Sequence, residues 1–246
     1  MDQSLLSWSL GRLEDVDRIE EMTPVLGELA SVYEFNHMTF VIARLRGTSD
    51  NYPFYCTTYP SEWTSSYSAH NFVSIDPVMR AFPLALLPID WATLDWRSAE
   101  AERFRLEALS YDIGPNGLSV PVRGPRGAQS LLSASSAVDG TEWFKFRDHR
   151  THDMLVLSHY LYEKILRISG FIQHDRPHHL SKRERECLCY LANGSIAKQT
   201  AMYLQISESA VRLYLQSARR KLGVRTSHHA VAKAIILEII SADSER

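Results

Sequence analysis

The chain of 246 residues carries a formal net charge of −2, with 45% hydrophobic and 23% charged residues. That composition excludes a disordered or fibrous chain and leaves room for one large domain or two. No apolar run reaches the roughly eighteen residues of a membrane helix, and the start MDQSLLSWSLGRLED has no basic lead into an apolar stretch, so neither a span nor a secretory leader is expected and the protein is placed in the cytoplasm.

Charge is unevenly spread. Of the 27 Lys and Arg, 11 fall at positions 180–246, against 6 of the 29 Asp and Glu. A basic tail on an acidic larger part implies that only the tail meets a polyanion. Cys56, Cys187 and Cys189 are odd in number and lack metal-ligand spacing, which argues against a disulfide framework and a zinc site.

In chain order, EDVDRIEEMTPVLGELASVYEF (14–35) predicts a helix, and MTFVIARL (38–45) has the β-branched and aromatic content of a strand. SAEAERFRLEALSYDIG (98–114) predicts a helix stopped at Gly114. GLSVPVRG (117–124) and AQSLLSASSA (128–137) predict two strands joined by a Gly-Pro-Arg-Gly turn, and positions 143–169 predict a long amphipathic helix. Helices before, between and after strands imply an α+β protein whose first domain, 1–169, is an α/β/α sandwich. GFIQHDRPHH (170–179) has no period and is assigned as the linker.

The tail, 180–246, shows no strand pattern and predicts four short helices, a small all-α domain. Ser181 with Glu184 three residues on is a capping box, Ser207 is a good N-cap, and Gly194 and Gly223 suit left-handed helix ends. The few residues around Gln205 and Ile206 give the tight spacing of a helix-turn-helix. In the third helix Val211, Leu215, Ala218 and Leu222 should face inward, leaving Glu208, Ser209, Arg212, Leu213, Gln216, Arg219 and Arg220 outward. Such a cationic face suits the DNA major groove, and a merely solvated basic face is the alternative.

Between these regions, YPSEWTSSYSAHNFVSIDP (59–77) crowds aromatics at i, i+4 and i+8, Tyr59, Trp63 and Tyr67, which would share one face of a short helix. They could wall a cavity for a small acylated ligand, with Asp76 as an acceptor, or form an ordinary aromatic core in which Asp76 only caps the helix begun by Pro77. No acidic pair follows any predicted strand, which discounts a phosphoacceptor domain. His149 and His152 stand at i, i+3 without a supporting acid or thiol, so no catalytic or metal site and no cofactor is expected.

The tail resembles the DNA-binding domain of LuxR-type transcription regulators at Glu184, Leu188, Gly194, Leu204, Ile206, Ser207, Val211 and Lys221-Leu222-Gly223, departing from the family pattern at Thr200 and Tyr214. The first domain resembles the autoinducer-binding domain of the same regulators, whose six signature residues stand here as Trp63, Tyr67, Asp76, Pro77, Trp91 and Gly117. The resemblance implies a quorum-sensing transcription factor, and no enzyme, that binds an N-acyl-homoserine lactone and double-stranded DNA as a homodimer and works with RNA polymerase. By position it implies that Trp63 meets the lactone carbonyl and Asp76 the amide N–H. Tyr59 and Ser133 would meet the acyl carbonyl, Trp91 and Phe104 would wall the lactone end, and Tyr67 would line the chain. On DNA it implies base reading by Arg212, Leu213 and Gln216 and phosphate contacts by Ser207, Ser209, Arg220 and Lys221. A regulator of the same build that answers a different small molecule, or none, is the alternative.

Overall fold

In a computed structural model, which describes residues 3–44, 54–169 and 180–241, the described residues fall into two compact units. The first is built on one antiparallel sheet of β1 (His37–Arg44), β2 (Phe54–Thr57), β3 (Ile89–Asp90), β4 (Asn116–Arg123) and β5 (Gln129–Ser136), in the order β2-β1-β5-β4-β3. Period-two alternation gives this sheet two different faces. Met38, Phe40 and Ile42 of β1, Leu118, Val120 and Val122 of β4, and Leu132 and Ala134 of β5 point into the main core. They pack on α1 (Gln3–Glu14), α2 (Met22–Val32) and α6 (Gly140–Ile168), which bring Leu13, Leu26, Leu29, Trp143, Leu157 and Ile165.

Alternate residues on the opposite face, Thr39, Val41, Ala43, Leu131 and Ser133, are smaller or polar and border a cavity. α3 (Ser61–Ala69), α4 (Pro77–Ala81) and α5 (Ala99–Ser110) supply residues to that side. The unit is therefore an α/β sandwich with a dry layer on one face of the sheet and a hollow one on the other.

Three boundaries differ from the sequence reading. The helix expected over 14–35 is α2 alone, entered through a 3-10 turn at Ile19–Glu21, and a separate α1 precedes it. Apolar Leu5, Leu6, Leu10 and Leu13 dock α1 on the core, and Arg12 is ion-paired with Glu28 of α2 at 2.6 Å. α5 ends at Ser110, short of Gly114, because Asp112 already turns left-handed at φ 62°. The short edge strands β2 and β3 lie in segments too brief to carry a period of their own.

The second unit holds α7 (Lys182–Ala192), α8 (Ala197–Leu204), α9 (Glu208–Lys221) and α10 (Ser227–Ile236) around Leu188, Ala218, Leu222, Ala230 and Ala234. Ser181 Oγ accepts from the Glu184 N–H at 3.2 Å while the Glu184 carboxylate accepts from the Ser181 N–H at 2.6 Å, a complete capping box. Gly194 and Gly223 close their helices at φ 83° and 65°, and Gln205, at φ 55°, makes the turn between α8 and α9. The linker assigned to 170–179 lies outside the described residues. Among the described residues no helix is long and apolar enough to cross a membrane.

Candidate functional site

The cavity on the open face of the sheet measures about 610 Å³. Tyr59, Trp63, Tyr67, Asp76, Trp91, Phe104 and Ser133 all line it, although they come from five separate stretches of chain. Trp63 and Tyr67 lie one turn apart on α3, but Tyr59 does not share that helix: it precedes its first residue by two, ahead of Pro60. The helix cannot extend back because Pro60 holds an extended ψ of 142°. Tyr59 reaches the cavity from the strand side instead.

Trp63 is buried at the centre of an aromatic cluster, with Phe72, Phe104, Tyr111 and Tyr67 ring centroids 5.6–5.9 Å away. Its indole N–H has no hydrogen-bond partner among the described residues. A donor left unpaired beside a cavity is a group for which a ligand acceptor is the natural complement.

Asp76 is buried and spends one oxygen on each neighbour. Oδ1 accepts from the Val78 N–H at 2.8 Å, capping α4 with Pro77 at its first position, and Oδ2 accepts from the Tyr67 hydroxyl at 2.9 Å. Burial pushes its carboxyl up to about 6, against the Tyr67 hydroxyl and the Val78 and Met79 amides, which hold it down. Burial, with the Asp76 charge next, also pushes the phenols of Tyr67 and Tyr59 above their ordinary value, so both remain donors at neutral pH.

Trp91 is bolted in place from two directions. Its indole N–H donates to Ser119 Oγ at 2.8 Å, and its carbonyl accepts from the Trp96 indole at 2.7 Å. Its ring lies so close to Gly117 that a Cβ there would stand 2.5 Å from Cδ2. Ser119 in turn hydrogen-bonds Ser133 at 2.8 Å. Thr39, Thr57, Val78, Met79, Trp96 and Ile113 also line the cavity and were not singled out by sequence. Only Thr39 had a usable signal, the alternation of polar and small residues against Met38, Phe40 and Ile42.

On α9, Val211, Ala218 and Leu222 are buried and Leu215 half-buried, while Arg212, Leu213, Gln216 and Arg220 are exposed. Arg212 pairs with Glu208 one turn back at 2.6 Å. Ser207 caps the helix through the Ala210 N–H at 3.2 Å and hydrogen-bonds Ser209 at 2.9 Å. One cation is less outward than its spacing suggests, and another, though exposed, is tied to a carboxylate. Arg219 is half-buried and donates to the Arg225 carbonyl at 3.1 Å, and the Lys221 ammonium donates to buried Glu184 at 2.7 Å. Burial opposes ionisation of Glu184, yet Lys221 and the Ser217 hydroxyl hold its carboxyl below the usual range. Thr200, where the family pattern has an apolar residue, is buried with its hydroxyl on the Ile196 carbonyl at 3.1 Å. Among the described residues no group of three His, Cys, Asp or Glu could hold a metal ion.

A ligand-sized cavity on an α/β sandwich and a helix-turn-helix unit define a ligand-responsive DNA-binding regulator. Residues 19–165 match the autoinducer binding domain family, and residues 178–234 match the bacterial regulatory proteins of the luxR family. The chain belongs to the LuxR family of quorum-sensing transcription factors, binding a small ligand through the first unit and DNA through the second. It is 40% identical over 183 residues to the transcriptional activator protein RaiR of Rhizobium etli, covering 74% of this chain and 76% of RaiR. It shares its fold with Escherichia coli SdiA, at a TM-score of 0.68 and 21% identity over 96% of this chain and 98% of that one. SdiA in complex with octanoyl-rac-glycerol gives a TM-score of 0.69 at 22% identity, over 96% and 97%.

Proposed function

We propose that the ligand is an N-acyl-homoserine lactone. The observation that carries this reading is the pairing, in one largely apolar cavity, of an unpartnered Trp63 indole N–H with the buried Asp76 carboxylate. Such a lactone offers a ring carbonyl, an amide N–H and an acyl carbonyl. Trp63 serves the first, Asp76 the second, and Tyr59 with Ser133 the third, so no buried polar atom is left over at a cost of about 1–3 kcal/mol each. Trp91 and Phe104 wall the ring, and Tyr67 holds Asp76 while lining the chain.

Ligand completes the core of residues 1–169, and α6 carries that change toward the linker at 170–179 and the DNA-binding domain at 180–246. A homodimer presents two copies of α9 to half-sites about one helical turn apart. Arg212, Leu213 and Gln216 read bases, and Ser207, Ser209, Arg220 and Lys221 meet phosphates. The complex forms in the cytoplasm and acts on RNA polymerase.

The test is to produce the protein in cells given a panel of acyl-homoserine lactones and octanoyl-rac-glycerol, then extract the purified protein and identify what it retains by mass. Retention of a lactone by the wild type, lost in Trp63→Phe and Asp76→Asn, is the expected result. Retention of the acylglycerol alone would replace the lactone reading with a different acyl ligand.

A further inference from the structure

Over most of its width the sheet stands between the cavity on one face and α6 on the other. At the β3 edge that separation shrinks to a single peptide bond. Ile89 is opposite Ser119 and packs with Leu131 on the cavity side, whereas Asp90 is opposite Leu118, whose side chain belongs to the core beneath α6. Trp91, the next residue, turns back to wall the cavity, which Asp90 itself does not border.

The buried Asp90 carboxylate serves both sides at once. Its Oδ1 accepts from the Ala92 N–H at 3.0 Å, capping the 3-10 turn Trp91–Thr93, and from the Trp143 indole N–H at 2.9 Å. Its Oδ2 accepts from the Arg147 guanidinium. Trp143 and Arg147 stand one turn apart at the start of α6, so one side chain grips the turn that carries Trp91 and the head of the long helix. The Trp91 ring is held by Ser119 and its carbonyl by Trp96, so ring and turn move as a block. A buried ion pair adds little net stability over an apolar filler of the same shape. What three charge-assisted bonds add is a fixed direction between turn and helix.

We infer that Asp90 is a positioning residue that couples the ligand wall to α6. A ligand head packed on the Trp91 ring restricts the turn, and Asp90 passes that restriction to Trp143 and Arg147. The inference rests on the reading above that a ligand head lies against Trp91, and it holds whether or not that head is a lactone.

Hydrogen exchange of the full chain, with and without saturating ligand, tests it. The probe is the acyl-homoserine lactone that the wild type retains from the panel, or octanoyl-rac-glycerol where that alone is retained. In the wild type the probe should slow amide exchange over 144–150 by about tenfold, within the usual range of coupling between two sites. Asp90→Asn and Arg147→Met alter no residue that lines the cavity. Both should still retain the probe, with the slowing over 144–150 nearly abolished and the slowing over α2 kept. A carboxylate that only held the fold together would, when changed, speed exchange with and without probe alike and leave the slowing factor at its wild-type value. That outcome, or no slowing over 144–150 in the wild type, would overturn the inference while leaving the lactone reading standing. Should Asp90→Asn not fold, Arg147→Met decides alone, on a side chain that is 24% exposed. Retention of the acylglycerol alone would sink the lactone reading and leave this test intact, and retention of neither would overturn both.

Discussion

Asp76 joins structure and recognition in one side chain, because each oxygen of a carboxylate accepts more than one hydrogen bond. The cap on α4 and the Tyr67 hydroxyl fix its orientation, and the remaining lone pairs are free for a ligand N–H. Its folded-state carboxyl sits at about 6, above the ordinary 3.8. A raised carboxyl means that the empty domain is favoured by protonation. That contribution is complete below about 3.8 and is lost as pH rises through about 6, leaving the ionised, ligand-free state strained at neutral pH. A donor N–H placed on Asp76 relieves that strain by favouring the carboxylate, so binding at low pH must expel a proton. Lactone affinity should be constant above about pH 7 and fall toward tenfold per pH unit below about 6. Calorimetric titration at pH 5.5 and 7.5, in buffers of different ionisation enthalpy, measures both the affinity and the proton released. Equal affinity at the two pH values, with no proton released, would remove Asp76 from the role of amide acceptor.

At the scale of elements, β4 and the turn after β3 make one unit through Gly117 and Trp91. Gly117 has no left-handed backbone to protect, and its lack of a side chain is required only because the Trp91 ring occupies the space. Since Ser119 and Trp96 both hold Trp91, the ring cannot give way. Gly117→Ala should destabilise the protein by about 1–3 kcal/mol, measured by urea unfolding. Most of that cost should vanish when the same change is made in a Trp91→Ala background, and equal costs in both backgrounds would show the clash to be imaginary. This pairing also shows what was legible in the sequence. The tail could be read almost residue by residue, since caps, glycine stops and a 3.6-residue period are all local signals. Trp63, Tyr67, Asp76, Pro77, Trp91 and Gly117 were legible as a set only through a family pattern, because nothing local says that residues 63 and 117 will meet. Tyr59 shows the limit of spacing arguments: its i−4 relation to Trp63 suggested a shared helix, but Pro60 breaks it and the strand delivers the ring. Thr39, Thr57 and Ser119 were missed because which side chains stand together across four strands depends on register, which no single segment contains.

At the scale of the whole molecule, the ligand belongs to one core out of two. The first unit encloses a cavity of about 610 Å³ beside its sheet, a volume of missing packing that an apolar acyl chain would fill. The tail has a separate core around Leu188, Ala218 and Leu222. A ligand that binds only the folded first unit stabilises it by mass action, about 2.7 kcal/mol at a hundred times its dissociation constant. For a domain of this size that corresponds to a rise in melting temperature of roughly 5–10 °C. Scanning calorimetry of the full chain should therefore show a first-unit transition that climbs with the logarithm of lactone concentration and a tail transition that stays in place. If Trp63 is the donor to a lactone ring carbonyl, Trp63→Phe should weaken the climb without emptying the aromatic cluster. If both transitions climbed together, the ligand would be acting on a single cooperative body, and control of DNA binding would lie in that shared stability. If only the first moves, the proposed route through a dimer is favoured, and sedimentation with and without lactone should then show a dimer gaining at the monomer's expense.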